Sequence, residues 1–243
     1  MKRSSWKFVL LATFSLASGG SSAGAVTTIG VDFGTTGNLL TTTDSAGIFP
    51  QQNFNQAPGA SGSVLNLLDS AGATTTTDIS YSNFTGTFDF AGTSTPDHDL
   101  VNSGAYVRNS ALTPVMTVTN IPYTLYDVVI YSTQGGTTRD SLFNIGAQNI
   151  FLRDTQAYPP FDQAAGTFSG DPAGDGNYVL FEGISGSSFT LNIQGLSGGG
   201  SLFQTAFGGF QILDQTPPAP EPSTALLCSL ALIGSQVVRR RNQ

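Results

Sequence analysis

Between residues 26 and 213 the chain never sustains a helical repeat. It is cut instead into short apolar stretches by glycine-, proline- and asparagine-rich turns. A chain patterned this way builds sheets. The strand pattern falls on 27–33, 63–68, 74–79, 85–90, 114–119, 126–132, 142–145, 149–153, 178–182, 188–193 and 207–213. In 188–193 the alternation is strict, with Phe189, Leu191 and Ile193 on one face and Thr190 and Asn192 on the other. Within 126–132, Val128-Val129-Ile130 is continuous and flanked by Tyr126 and Tyr131, which predicts a central strand covered on both faces. Turn chemistry separates these stretches at Pro58-Gly59, Gly135-Gly136, Asp171-Pro172, Asp175-Gly176 and Gly198-Gly199-Gly200. The expected fold class is all-β: a β-sandwich, of jelly-roll type, flanked by an N-terminal signal peptide and a short C-terminal transmembrane helix.

The charges sharpen this picture. Of the nine basic residues, Lys2, Arg3, Lys7, Arg239, Arg240 and Arg241 lie at the two ends. Between residues 26 and 216 there remain Arg108, Arg139 and Arg153, with no lysine, against fifteen of the sixteen acidic residues. Three against fifteen leaves a body charge of about −12 at neutral pH. Such a surface repels phosphate backbones, which excludes nucleic acid as a partner. It is compatible with neutral sugars and would attract Ca²⁺. The single cysteine, Cys228, lies in an apolar tail, so the body has neither a disulfide framework nor a thiolate metal site.

Both ends read as targeting segments. A basic start (Lys2, Arg3, Lys7) is followed by the apolar run FVLLATFSLA, then by small residues ending Ala23-Gly24-Ala25. This order predicts a signal peptide over residues 1–25, and hence an exported chain. The sandwich domain is expected over 26–213 and a stiff proline-rich spacer, DQTPPAPEP, over 214–222. Residues 223–243 form a membrane tail. Its apolar run is about 14 residues, or roughly 21 Å as a helix, against a hydrocarbon core of roughly 30 Å. Three terminal arginines follow, as a stop held on the cytoplasmic side. The run spans only with local thinning of the bilayer, which suits a transient anchor.

Pro220-Glu221-Pro222, then Ser223-Thr224, a short apolar segment and Arg239-Arg240-Arg241 together resemble the PEP-CTERM sorting signal. That resemblance implies recognition by an exosortase, a membrane transpeptidase-like enzyme, and cleavage near the Pro-Glu-Pro. It implies membrane anchoring before processing and a cell-surface or extracellular product afterwards, in bacteria that often make exopolysaccharide. It covers about the last 24 residues. In the body, VDFG at 31–34, LYDVVIYS at 125–132, NYVLFEGISGSSFTLNI at 177–193 and GGFQIL at 208–213 resemble galactose-binding-like sandwich domains of secreted bacterial proteins.

Few side chains in the body point to chemistry. IGVDFGTT at 29–36 is similar to the first phosphate loop of actin-type ATPases, but no Asp precedes Gly198–Gly200 to supply the second loop. It reads as a first strand ending in a glycine turn. Asp171, Asp175 and Asn177 in DPAGDGN space oxygen donors along a loop as Ca²⁺ requires, although the spacing is not that of an EF-hand and the residue types also suit a plain turn. Asp97-His98-Asp99 is a second acidic group, read as loop surface. Arg153, Tyr158 and Phe161 flank a Pro159-Pro160 loop that would offer rings to a sugar and a guanidinium to its hydroxyls; the same rings would equally close one end of the core. No Gly-x-Ser-x-Gly elbow occurs in the body, and Glu182 is its one glutamate.

No catalytic residues and no obligatory cofactor are therefore expected. The first reading is an exported, non-enzymatic envelope or matrix protein associated with exopolysaccharide. The alternatives are a carbohydrate-binding module with a specific glycan and, more remotely, a secreted hydrolase.

Overall fold

The computed structural model describes residues 27–35, 39–89, 95–108, 112–132, 140–154, 160–196 and 205–216. The signal segment, Tyr158, Pro220–Pro222 and Arg239–Arg241 lie outside the described residues. The protein is all-β. In chain order the first strands are β1 (Thr28–Asp32), β2 (Asn55–Gln56), β3 (Gly62–Val64), β4 (Asp78–Ser82) and β5 (Gly86–Asp89). A short helix, α1 (Pro96–Asn102), then leads into β6 (Ser103–Val107), β7 (Val115–Thr119) and β8 (Leu125–Tyr131). β9 (Asp140–Ile145), β10 (Gln148–Asp154), β11 (Gln163–Ala164) and β12 (Asp175–Gly176) follow. The chain closes with β13 (Tyr178–Ser185), β14 (Phe189–Gly195), β15 (Thr205–Phe207) and β16 (Gly209–Asp214).

These strands form a six-stranded sheet ordered β11-β13-β8-β16-β1-β2 and a seven-stranded sheet ordered β12-β10-β9-β14-β7-β4-β3. A smaller sheet, β15-β6-β5, completes the set. Among the described residues every long pairing is antiparallel; only the two-residue strands β2, β11 and β12 pair in parallel. Alternate residues of the two large sheets fill one core. Ile29, Val128, Ile130 and Ile212 enter it from the first sheet, and Val118, Phe143, Leu191 and Ile193 from the second. As the alternation predicts, Phe189, Leu191 and Ile193 are buried while Thr190 is exposed and Asn192 half-buried.

β8 lies between β13 and β16 and is covered on both faces. Its second face, Val129 and Tyr131, packs in a separate apolar cluster with Leu40, Phe54, Leu100 and Leu213. Tyr131 Oη receives the Ile48 N–H at 2.8 Å and donates to Gln211 Oε1 at 2.5 Å. Gln211 Nε2 in turn donates to the Phe49 carbonyl and to Gln51 Oε1. This buried network pins the segment around 46–51 over the outer face of the six-stranded sheet.

Three local outcomes depart from the strand pattern. The strand expected at 74–79 starts at Asp78, because the threonine run before it bonds back along the chain: Thr75 donates both N–H and Oγ1–H to the Leu67 carbonyl. β6 and β15 carry no strong strand signal. They pair because Gly104 has no Cβ to collide with the Phe207 carbonyl. Asp97-His98-Asp99 is not a loop: it lies in α1, which Pro96 starts and the Thr95 hydroxyl caps by accepting the His98 N–H at 3.3 Å. Seven residues are too few for the periodicity to register in the sequence.

Candidate functional site

Five of the sequence-derived site residues, Arg153, Phe161, Asp171, Asp175 and Asn177, lie within the described residues. Arg153 on β10 stands opposite Asp175 on β12 in the parallel register, and its Nε lies 2.5 Å from Asp175 Oδ1. That bond, with the surrounding carboxylates, raises the already high guanidinium pKa. Asp171 caps the 3-10 turn Pro172–Gly174. Its carboxylate accepts the Thr167 N–H at 2.8 Å, the Thr167 hydroxyl at 3.0 Å and the Ala173 N–H at 3.0 Å. Those N–H groups hold its pKa below the usual carboxylate range. Asn177 is buried: Oδ1 accepts the Asp162 N–H at 2.8 Å and Nδ2 donates to the Pro160 carbonyl at 3.3 Å. The Phe161 ring lies 5.1 Å from the Tyr131 ring, tilted at 50°, and 6.4 Å from that of Tyr178, edge to face.

Register and these tethers thus bring Arg153, Phe161, Asp171, Asp175 and Asn177 into one region. Each is engaged in holding the two loops together. Among the described residues no group of three or more His, Cys, Asp or Glu could hold a metal ion.

Among the described residues, a carboxyl strongly perturbed by burial lies elsewhere. Asp32, the last residue of β1, is fully buried. Its Oδ2 accepts the Leu40 N–H at 2.9 Å, and its Oδ1 has no hydrogen-bond partner among the described residues. Burial pushes its pKa up to about 8, against the Leu40 hydrogen bond and helped by the charge of Asp99. Asp99 is itself raised, first by desolvation and then by Asp44. A neutral Asp32 can donate the proton it holds.

A third place has the shape of a binding site. An open concavity of about 440 Å³ lies between the β9–β10 hairpin and the connection that carries the chain from β13 in the six-stranded sheet to β14 in the seven-stranded sheet. That volume is within the range of small-molecule sites, roughly 300–1,000 Å³. Its lining combines the apolar Ile145, Ile184 and Phe189 with the polar Asn144, Asn192, Ser188 and Thr190. Antiparallel register sets Asn192 of β14 directly opposite Asn144 of β9. Asn192 Nδ2 donates to Asn144 Oδ1 at 3.3 Å. Asn144 Nδ2 donates to Asn149 Oδ1 at 2.9 Å and to the Gly146 and Gln148 carbonyls. The amides are therefore pre-oriented by one another. The β9–β10 turn that shapes one wall has Gly146 at φ 58° in its first central position, the residue a type II′ hairpin takes there. Gly183 and Gly186, at φ 67° and 102°, flank the lining residues Ile184 and Ser185. The β13–β8 register shifts between Phe181 and Ile184, a bulge just before the lining residues Ile184 and Ser185.

None of these pocket residues was marked by the sequence as a site. The one available signal was the polar face of the alternating strand 188–193, whose cross-strand partner no pattern reveals. Among the described residues, no helix is long and apolar enough to cross a membrane. Compared with protein-family models and with curated proteins, the chain matches none.

Proposed function

We propose that this is an exported, non-enzymatic protein of the cell envelope or extracellular matrix, sorted through a PEP-CTERM-type tail and associated with exopolysaccharide. The observation that carries this reading is the ordered tail: Pro220-Glu221-Pro222, a short apolar run, then Arg239-Arg240-Arg241, behind a proline-rich spacer and opposite a signal-like start. An exosortase-type enzyme is the processing partner in this reading, and the membrane holds the tail until it is cut. The body it delivers is a β-sandwich of jelly-roll type. Two large antiparallel sheets that send alternate residues into one core support that finer assignment. A lysine-free, strongly acidic surface suits a wet polysaccharide matrix, where it opposes self-association.

The test is expression of the full chain in a Gram-negative host with and without an exosortase. The expected result is a product lacking both ends in the presence of the enzyme. Unprocessed chain should accumulate in the membrane fraction when it is absent, or when Glu221→Ala is introduced. Cytoplasmic chain with its N-terminus intact would overturn the proposal.

A second reading is a carbohydrate-binding module with a specific glycan. The concavity beside the β9–β10 hairpin, uncharged among the described residues, favours it, because its lining combines apolar side chains with hydrogen-bonded amides and exposed hydroxyls.

A further inference from the structure

We infer that the concavity between the β9–β10 hairpin and the β13–β14 connection is a site for a neutral pyranose within a polysaccharide chain, read by Asn144 and Asn192. The inference rests on the carbohydrate-binding reading and goes beyond it by assigning the residues and the ligand class. It also moves the site away from the Arg153–Asp175 end.

The lining selects the ligand by elimination. Among the described residues no charged side chain lines the concavity. A divalent cation would find no carboxylate there, and hard cations need several oxygen ligands with charge among them. A phosphate, sulfate or uronate would find no guanidinium or ammonium, and would meet the field of a body carrying fifteen acids and three arginines. A purely apolar ligand would bury the Asn192 and Thr190 polar groups without replacing their water, which is costly. A neutral ring with hydroxyls on its rim and C–H groups on its faces fits both halves of the site.

The polar groups stand on rigid elements. Asn192 and Asn144 are paired across two hydrogen-bonded strands, and Asn144 is further fixed by three acceptors. Fixed amides lose little rotamer freedom on binding. Thr190 and Ser188 are exposed beside them on the same face of β14 and its lead-in. Of the apolar lining, Ile184 is half-buried, and Phe189 is almost wholly buried with its ring packed against Tyr126 and Phe210. The site is broadly open to solvent. It therefore admits a residue inside a polymer and does not demand a chain terminus.

The experiment uses the full-length chain in mild detergent. Affinity electrophoresis is run in gels containing dextran, galactomannan or, as the anionic comparator, alginate. Chitohexaose is titrated while the side-chain amide signals of Asn144 and Asn192 are followed by NMR. The expected result is retention by at least one neutral probe, with shifts at both amides. Asn192→Ala and Thr190→Lys should each weaken retention about tenfold, the loss expected for one or two contacts, without lowering the unfolding midpoint. Retention that survives both substitutions but is lost in Arg153→Ala or Phe161→Ala overturns this site and leaves the carbohydrate-binding reading standing. Retention by alginate alone overturns the ligand class. Absence of retention and of shifts with every probe overturns the site and the carbohydrate-binding reading together.

Discussion

Tyr131 shows how much a single buried hydroxyl holds in place. It joins the Ile48 backbone to Gln211, and Gln211 joins Phe49 and Gln51. Tyr131→Phe leaves the Ile48 N–H and the Gln211 carbonyl oxygen short of a partner inside the protein. Urea unfolding should show a loss of about 1–3 kcal/mol with an unchanged slope. Gly47, at φ 92°, sits against the same pair: a Cβ at this position would fall 2.5 Å from Gln211 Oε1 and 2.8 Å from Tyr131 Oη. Gly47→Ala therefore adds a clash to the backbone strain, whereas Gly183→Ala, at φ 67° with open space around it, adds strain alone. The first should cost clearly more than the second in the same assay.

Asp32 makes a pH prediction. Its folded pKa, about 8, lies above the unfolded value near 4, so the native state binds the proton more tightly. The stability it contributes is present in full below about pH 4 and is lost as the pH rises through about 8. At the steepest the slope approaches about 1.4 kcal/mol per pH unit. Asp32→Asn cannot ionise and should flatten the profile of denaturation midpoints between these limits. A profile as steep in the variant as in the parent would show that Asp32 is not the titrating group.

At the scale of elements, strand pairing is set by patterned faces and the loops by capping. Asp171 ties Thr167 and Ala173 into the turn before β12, and β12 in turn carries Asp175 to Arg153. Asp171→Ala should speed amide hydrogen exchange at Thr167 and Ala173 while leaving β9 and β14 protected. Because hydrogen bonds lower its pKa, the ionised carboxylate stabilises the folded loop above the ordinary aspartate range, and that contribution fades as the pH falls through its own pKa. In the parent, exchange at these amides should quicken on acidification once the intrinsic rate is divided out. Asp171→Ala should lack that acid limb.

For the whole molecule the dominant electrostatic fact is the imbalance between fifteen acids and three arginines over residues 26–216. A glycan held by neutral amides releases no counterions, so its retention should be nearly independent of salt. Association with an anionic polymer would depend steeply on salt. Retention on the neutral probe that collapses as salt is raised would contradict an uncharged site.

The sequence by itself determined the class of the fold, because side-chain period is a local property. The alternation in 188–193 and the continuous run at 128–130 each became the strand their patterns require, half-covered in β14 and covered on both faces in β8. It also determined the charge of the surface and the residue types available for chemistry. The tertiary structure decided what those residues do. Asn144 and Asn192 are 48 residues apart and meet only through the β9–β14 register. Asp32 is buried because residues near Leu40 fold over the end of β1, a long-range event that no local pattern encodes. Asp171, Asp175 and Asn177 have the spacing of a cation loop, yet each is engaged by backbone amides or by Arg153. Which oxygen meets which donor depends on pairing between distant segments. Composition and spacing carry no information about that choice.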